Sequence, residues 1–164
     1  MKNKIKIVVA IAENNVIGNK GGLPWHIKKD LAWFEKKTTT QTVVMGRRSY
    51  EDIIQYTKNK PLRNRTNIVL TSQDNVAEGF IVKHSIEEIL QEDYSTDLMI
   101  IGGTNLFKSF LPFVDELIIT EIKQEFEGDT YFPEWNKNEF IEVERINEED
   151  NGLKFDFVTY KRIK

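Results

Sequence analysis

The sequence contains no cysteine, which excludes a disulfide scaffold, a thiolate zinc site and a cysteine nucleophile. It also lacks a strong excess of charge of one sign, because 23 basic and 26 acidic residues leave a net charge of -3 over 164 residues. We therefore expect no nucleic acid and no membrane surface as a partner. The absence of cysteine fits a reducing compartment, so the expected location is cytoplasmic.

No long hydrophobic run is present either. Residues 5–12 are apolar except for Lys6, but this segment is far too short to cross a bilayer. Glu13, Asn14 and Asn15 follow it, where a signal peptide would carry small residues at a cleavage site. We therefore interpret the segment as a buried first strand.

Internal repeats, low-complexity tracts and long linkers are also absent, and the length fits one domain over residues 1–164. Short β-branched runs alternate with helical periods. The predicted strands are residues 6–12, 42–45, 67–70, 80–83 and 98–101. The predicted helices are residues 27–37, 49–56, 86–92 and 105–111. Several strands are apolar on both faces, as a parallel sheet covered by helices requires, which predicts an α/β fold.

The last third of the chain changes character. Residues 117–122 form a further predicted strand. Two more β-rich runs, residues 140–146 and 153–160, flank the turn signal Asp150-Asn151-Gly152. The expected fold is therefore a mostly parallel central sheet with flanking helices and an antiparallel C-terminal hairpin.

One carboxylate falls on the apolar face of the first predicted helix. Ile27, Leu31 and Phe34 follow the i, i+4, i+7 spacing of one helical stripe, and Asp30 lies inside it at i+3. A buried carboxylate without a partner costs free energy unless its pKa shifts. Asp30 is therefore a candidate functional group, although a capping role at the edge of the stripe explains the same spacing.

The predicted strand 42–45 ends in groups that suit a phosphorylated ligand. Ser49 and Asp52 match a capping box at a helix N-terminus, where backbone N–H groups are free to bind an anion. Arg47 and Arg48 directly before it supply fork-shaped donors that suit phosphate. A surface arginine pair at an ordinary helix cap is the alternative.

Two other strand ends carry comparable groups. Gly102 and Gly103 follow residues 98–101 and would let the backbone approach a ligand closely, although a tight turn also explains them. The hydroxyls of Thr71 and Ser72 follow residues 67–70. Ligands in open α/β sheets bind beyond the carboxyl ends of the strands, so the three ends together favour a long phosphorylated ligand such as a dinucleotide.

Motifs in order along nearly the whole chain resemble the signature of bacterial dihydrofolate reductases. They are Ile17-Gly18, Leu23-Pro24-Trp25, Asp30-Leu31-x-x-Phe34, Met45-Gly46-Arg47-Arg48-Ser49-Tyr50-Glu51, Pro61-Leu62, Arg65-x-Asn67, Ile101-Gly102-Gly103, Thr120 and Gly128-Asp129-Thr130-x-Phe132-Pro133. The resemblance implies an oxidoreductase of one-carbon metabolism that reduces 7,8-dihydrofolate to 5,6,7,8-tetrahydrofolate with NADPH. It further implies a monomer without a metal in its site and a possible target of antifolate inhibitors.

The resemblance assigns the substrate half of the site. Asp30 would accept hydrogen bonds from the pterin and favour a protonated substrate imine, which accepts hydride more readily. Thr120 would bond to Asp30 and the pterin through water, Trp25 would hold ordered water, and Leu23 would lie in a lid. Arg65 would pair with the α-carboxylate of the glutamate tail. The folate pocket would be lined by Val8, Ala10, Leu31, Phe34, Ile53, Leu62 and Ile101.

The resemblance also assigns the cofactor half. The nicotinamide would contact Ala10, Ile17, Gly18 and Gly22. The pyrophosphate would be bound by Ser49, Gly102, Gly103, Thr104, Asn105, Leu106 and Phe107. The adenosine and its 2′-phosphate, which distinguishes NADPH from NADH, would be surrounded by Arg47, Arg48, Leu70, Thr71, Ser72 and His84. For His84, a solvated side chain without a ligand is the ordinary alternative.

The glycine-rich residues 13–23 would form a lid that closes with help from the loop containing Gly128 and Asp129. The Gly102–Gly103 peptide bond is expected to be cis. The chain departs from the family pattern at Phe107, where many bacterial members carry tyrosine. It also departs at residues 54–60, which leave no clear match for a second tail-binding arginine; Arg63 and Lys58 are the alternatives.

Two other functions remain open at this point. One is a related reductase of the same fold that acts on a pyrimidine intermediate of riboflavin synthesis. The other is a nucleotide-binding module without catalytic activity. The combination of Asp30, Phe34 and Arg65 argues against the first because it suits a pterin that carries a glutamate. The presence of Asp30 argues against the second.

Overall fold

The structure is a computed structural model that describes residues 3–163. The strands are β1 (Ile5–Ile11), β2 (Val16–Gly18), β3 (Thr42–Gly46), β4 (Thr66–Leu70), β5 (Phe80–Lys83), β6 (Leu98–Gly102), β7 (Glu116–Ile122), β8 (Thr130–Tyr131), β9 (Phe140–Asp150) and β10 (Leu153–Arg162). The α-helices are α1 (Lys28–Thr38), α2 (Arg47–Thr57), α3 (Ile86–Gln91) and α4 (Thr104–Phe110). No helix among the described residues is long and apolar enough to span a membrane.

Eight of the strands form one sheet in the order β5-β4-β3-β6-β1-β7-β10-β9. The pairs from β5 to β7 are all parallel, and β10 is antiparallel to both β7 and β9. The short strands β2 and β8 pair separately. This arrangement confirms the predicted mostly parallel sheet with an antiparallel C-terminal hairpin.

The sheet is covered on both faces, as the doubly apolar strands predicted. One hydrophobic cluster includes Ile7, Ile100 and Leu117, and the cluster on the other side includes neighbours of these residues such as Val8 and Met99. Adjacent residues of a strand point to opposite faces, so each central strand contributes to both clusters. Packing on both faces therefore holds β1 and β6 rigidly in the centre of the sheet.

The C-terminal hairpin turns at the predicted position. Asn151 and Gly152 both have positive φ, at 52° and 81°, which is the backbone conformation that an Asn-Gly turn favours. However, β9 continues to Asp150 and is four residues longer than the predicted run 140–146. Its last residues are polar and pair with β10 through backbone hydrogen bonds, so they carry no apolar alternation that a sequence pattern could detect.

Two details of the predicted helices are wrong. Helix α2 begins at Arg47 with Gly46 as its N-cap residue and no side-chain cap, so Ser49 lies inside the first turn and does not form the predicted capping box with Asp52. In α1, Trp33 packs towards the core and stacks on Phe157 with ring centroids 4.3 Å apart. The predicted stripe instead borders a cleft, and Leu31 is accordingly 46% exposed.

Candidate active site

A cleft of about 810 Å³ opens at the carboxyl ends of three parallel strands, β1, β3 and β6. Helices α1 and α2 form two of its walls, and the chain around β2, from Ile17 to Leu23, contributes a third. Strand ends at such an edge leave room for a ligand because the helices that follow them diverge. The cleft therefore lies at two of the three strand ends that predicted a binding site, those of β3 and β6, whereas Thr71 and Ser72 at the end of β4 lie outside its wall.

The carboxylate of Asp30 enters this cleft from α1 and is held by a strand. The hydroxyl of Thr120, on β7, donates a 2.6 Å hydrogen bond to Oδ1 of Asp30. Burial raises the pKa of Asp30, and the bond from Thr120 partly offsets that rise. No lysine, arginine or histidine among residues 3–163 forms an ion pair with it. Asp30 is thus a carboxylate whose charge is uncompensated inside the site.

The contact between Asp30 and Thr120 corrects one sequence-based expectation. The two side chains were expected to interact through water, but the structure shows a direct hydrogen bond. The reason is the register of the sheet: Thr120 is paired with Ala10, which itself lines the cleft, so the Thr120 side chain reaches the helix above. Thr120 is 2% exposed and does not line the cleft.

Apolar side chains surround Asp30 as the sequence predicted. The cleft is lined by Val8, Ala10, Leu31, Phe34, Ile53, Leu62 and Ile101. Leu62 is fixed by the buried side chain of Asn67, which accepts a hydrogen bond from the Leu62 N–H at 3.0 Å and donates one to its carbonyl at 3.1 Å. An apolar wall around one polar group is typical of a small-molecule site.

Trp25 and Leu23 occupy different positions. Leu23 lines the cleft and is 55% exposed, in keeping with a residue in a lid. Trp25 is buried behind the cleft wall and packs edge-on against Phe126, with ring centroids 5.2 Å apart. Its indole N–H has no hydrogen-bond partner among the described residues. The predicted role of Trp25 in holding water stays a prediction.

The opposite end of the cleft carries the predicted phosphate-binding groups. Its lining residues here are Arg47, Arg48, Ser49, Gly102, Gly103, Thr104, Asn105, Leu106 and Phe107. The first turn of α2 lacks a side-chain cap, so its backbone N–H groups remain available to an anion. A Cβ atom on Gly102 would lie 3.1 Å from the Ser49 hydroxyl, so a side chain there would crowd this end of the cleft. The Gly102–Gly103 peptide bond is cis, as expected.

Arg47 is already engaged within the protein. Its Nη1 donates to the carbonyl of Asn75 at 2.8 Å, its Nε lies 3.3 Å from Glu51, and its guanidinium packs 4.9 Å above the Tyr50 ring. These contacts orient the guanidinium at the cleft edge. Arg48 has no comparable ion pair among the described residues, so it is the more available of the two arginines.

Four predicted cofactor residues lie outside the cleft wall, namely Leu70, Thr71, Ser72 and His84. The His84 ring is held between the carbonyl of Thr71, 2.8 Å from Nδ1, and the carboxylate of Asp74, 2.9 Å from Nε2. The hydrogen bond to Thr71 and the nearby carboxylates raise the pKa of His84. Contact between these four predicted cofactor residues and the adenosine stays a prediction.

Arg65 also lies outside the cleft wall. Its Nη1 donates to the Thr38 hydroxyl and its Nε to the carbonyl of Arg63, both at 2.9 Å. Partial burial lowers the pKa of Arg65. Arg63 and Lys58 are exposed and do not line the cleft either. Binding of the glutamate tail of the substrate by Arg65, with help from Arg63 or Lys58, stays a prediction.

The structure joins the expected lid to the loop expected to support it. Strands β2 and β8 pair, the N–H of Asp129 donates to the carbonyl of Gly18 at 3.1 Å, and the N–H of Lys20 donates to the Asp129 carboxylate at 3.1 Å. A Cβ on Gly128 would lie only 2.3 Å from Cγ1 of Val16. The two segments therefore touch so closely that only glycine fits at position 128.

Sequence reasoning missed several residues of the cleft wall, which are Val9, Asn19, Gly21, Gly46, Asp52 and Thr130. Among them, Asp52 is a second carboxylate at the cleft. Partial burial raises the pKa of Asp52, and the charge of Arg48 one turn earlier opposes that rise. The i, i+4 spacing of Arg48 and Asp52 was the available signal, because it places both on one face of α2.

Comparisons with known proteins identify the family of the chain. The sequence model of the family described as dihydrofolate reductase matches residues 4–162. A dihydrofolate reductase from Haemophilus influenzae is 42% identical over 153 residues, which cover 92% of each chain. One from Bacillus subtilis is 34% identical over 163 residues, which cover 96% of this chain and 94% of the relative.

A solved structure is also similar to this one. It is a dihydrofolate reductase from Enterococcus faecalis complexed with NADP(H) and RAB-propyl, with a TM-score of 0.89 and 40% sequence identity. The match covers 98% of this chain and 97% of the other. Since the family model and these relatives cover nearly the whole length, the chain belongs to the dihydrofolate reductase family.

Proposed function

We propose that this protein reduces 7,8-dihydrofolate to 5,6,7,8-tetrahydrofolate with NADPH. The observation that carries the proposal is the carboxylate of Asp30, which lies in an apolar cleft without an ion-pair partner among the described residues and is held by Thr120. A carboxylate in this setting favours a ligand that brings hydrogen-bond donors and develops positive charge. A pterin with an amino group and a protonated ring nitrogen satisfies both requirements.

The opposite end of the cleft fits an anionic dinucleotide. Arg48 and the uncapped first turn of α2 offer donors and positive potential to a pyrophosphate. Gly102 leaves space at the Ser49 hydroxyl that a side chain would fill. When bound, NADPH supplies the hydride that reduces the substrate imine. The contribution of these residues is to hold the cofactor beside the apolar half of the cleft.

Asp30 acts on the other reactant. Its carboxylate accepts hydrogen bonds from the pterin's amino group and neighbouring ring nitrogen, and its negative charge stabilises the protonated imine. The proton reaches the imine through water, since Asp30 binds a different edge of the ring. Thr120 keeps the carboxylate in place by its 2.6 Å hydrogen bond. Apolar walls exclude bulk water and thereby strengthen this charge interaction.

The remaining assignments belong to the same proposal. Arg65 pairs with the α-carboxylate of the substrate's glutamate, and Trp25 holds water behind the pterin. Ser72 and His84 contact the adenosine end of the cofactor. Lid residues 13–23 close over the nicotinamide while the Asp129 carboxylate accepts a hydrogen bond from the Lys20 N–H. We further propose that the protein acts as a monomer in the cytoplasm.

The direct test follows the absorbance of NADPH after dihydrofolate is added to the purified protein. We expect oxidation of NADPH that requires both protein and substrate. A parallel assay uses the pyrimidine intermediate of riboflavin synthesis, the substrate of the competing reductase. Turnover of the pyrimidine without turnover of dihydrofolate would overturn the proposal.

A further inference from the structure

The tip of the lid is a tight two-residue turn. Asn19 and Gly22 form an antiparallel bridge, with hydrogen bonds of 2.8 and 3.1 Å between their backbone groups. Lys20 and Gly21 lie between them and both have positive φ, at 50° and 79°, as in the two-residue turns of β-hairpins. The bridge occupies the N–H groups of its own two residues. The N–H groups of Lys20 and Gly21 are therefore left for partners outside the turn.

One of these two N–H groups already has a partner within the protein. The N–H of Lys20 donates to the Asp129 carboxylate at 3.1 Å, which joins the turn to the supporting loop. In contrast, no hydrogen bond from the Gly21 N–H is present among residues 3–163. A backbone N–H is a strong donor that bonds to water or to any acceptor that approaches it. The turn therefore presents a donor without a protein partner at Gly21, which itself lines the cleft.

An acceptor lies close to Gly21 on the facing wall of the cleft. Asp52, on α2, lines the same cleft, and its side chain is exposed. A Cβ atom placed on Gly21 would lie 3.8 Å from Oδ1 of Asp52. The Asp52 carboxylate forms no ion pair with Arg48 or with any other cation in the described part of the chain. A short movement of the lid would therefore bring this donor and this acceptor together.

We propose that Asp52 is a positioning residue for the closed lid: its carboxylate accepts a hydrogen bond from the Gly21 N–H when NADPH is bound. The inference rests on the proposed function, because it places the nicotinamide under this lid. Asp129 and Asp52 would then hold adjacent N–H groups of one turn, from the supporting loop and from α2. A hydrogen bond to a charged acceptor is stronger than one between neutral groups. The bond across the cleft should therefore slow the release of NADPH.

The charge of Asp52 has a separate effect on the cofactor, of opposite sign. Arg48 and Asp52 are four positions apart in α2 and lie on one face of the helix. A carboxylate at this place repels the phosphates that Arg48 would bind, so removal of its charge alone should tighten the binding of NADPH. Loss of a bond to the lid should instead weaken it. The direction of the change therefore distinguishes the two effects.

The test measures the rate at which NADPH dissociates from the full-length protein without folate, followed by the fluorescence of the bound cofactor. We expect Asp52→Ala to release NADPH about tenfold faster than the unmodified protein. Asp52→Asn keeps an acceptor oxygen without the charge and should release it about threefold faster. Glu87→Ala is the control, because it removes the same charge from an exposed position of α3 outside the cleft wall. Its rate should match that of the unmodified protein.

Two further measurements locate the effect at the lid. The first is the affinity for 2′-phospho-ADP-ribose, which carries the phosphates of NADPH but no nicotinamide for the lid to cover. This affinity should stay the same or increase in Asp52→Ala. The second is the nuclear magnetic resonance signal of the Gly21 amide proton. It should move downfield when NADPH binds to the unmodified protein, as a bond to a carboxylate requires, and should not do so in Asp52→Ala.

The outcomes distinguish the role of Asp52 from the proposed function. Unchanged or slower release of NADPH from Asp52→Ala overturns the role, as does an equal acceleration in Glu87→Ala. An equal loss of affinity for 2′-phospho-ADP-ribose also overturns it, because the effect would then not involve the lid. In each of those cases the unmodified protein still reduces dihydrofolate. Failure of the unmodified protein to bind NADPH would overturn the proposed function together with the inference.

Discussion

Thr120 and Asp30, which are ninety positions apart in the chain, are joined by a 2.6 Å hydrogen bond from hydroxyl to carboxylate. Thr120 belongs to the rigid centre of the sheet, where it pairs with Ala10 of β1. Asp30 belongs to α1, which borders the cleft. The bond therefore fixes the position of the Asp30 carboxylate relative to the rigid sheet.

The hydroxyl of Thr120 should also tune the acidity of Asp30. Its hydrogen bond favours the carboxylate, so Thr120→Val should raise the pKa of Asp30 further. The measurement is a nuclear magnetic resonance titration of the Asp30 carboxyl carbon in the ligand-free protein. Thr96→Val removes a hydroxyl that bonds elsewhere and should leave this pKa unchanged. A lowered pKa in Thr120→Val would contradict the assignment.

The negative charge of Asp30 should destabilise the folded protein at neutral pH. Because burial raises its pKa above 3.8, the folded protein binds a proton that the unfolded chain has lost, and stability falls as pH rises through that window. Asp30→Asn should therefore raise the free energy of unfolding at pH 7 by roughly 1 kcal/mol, or the melting temperature by about 2–4 °C. The difference from the unmodified protein should vanish below pH 3.8, where Asp30 is protonated in both states. Thermal melts across pH test this sign, and a destabilised variant at pH 7 would refute it.

Arg65 should matter for the substrate and not for the cofactor. Lysine cannot reproduce the fork geometry of the guanidinium or its two bonds to Thr38 and Arg63. We expect Arg65→Lys to weaken dihydrofolate binding by about tenfold and to change NADPH binding to the free protein by less than about twofold. Titration of each ligand separately checks this prediction. Equal losses for both ligands would show that Arg65 acts on the fold.

Gly128 should control the lid. An alanine Cβ would lie 2.3 Å from Val16 and 2.6 Å from the Gly18 carbonyl, so Gly128→Ala must separate the supporting loop from β2. We expect NADPH to bind about fivefold more weakly. Gly152→Ala is the control: its φ of +81° makes alanine unfavourable by about 1 kcal/mol, but the hairpin turn lies outside the cleft wall. If both variants lost the same NADPH affinity, the effect would reflect stability alone.

Much of the scaffold could be predicted because it depends on local patterns. Apolar runs located β3 and β6 to within one residue, and Asn151-Gly152 identified the hairpin turn. The i+3 position of Asp30 in an apolar stripe identified the carboxylate at the cleft. Periodicity alone wrongly predicted that this stripe of α1 faces the core. The stripe faces the cleft, and the residue of α1 that packs into the core is Trp33, which stacks on Phe157.

The features that could not be predicted depend on contacts between distant segments. The direct bond between Thr120 and Asp30 follows from strand register. The close approach of Gly128 to Val16 follows from the pairing of β2 with β8. Asp52 was interpreted as a capping residue because its spacing from Ser49 fits that motif, whereas α2 begins two residues earlier. In each case the residue can be recognised in the sequence, but the residue that it contacts in the fold cannot.

The central claim is that the Asp30 carboxylate carries the chemistry, and its most direct test is steady-state turnover of dihydrofolate by Asp30→Asn. Asparagine keeps the size and the acceptor for Thr120 but removes the charge. We predict that turnover near neutral pH falls at least about tenfold, equal to about 1.4 kcal/mol of transition-state stabilisation, and recovers in part at acidic pH, where more substrate is already protonated. Unchanged turnover in a folded variant would contradict the claim.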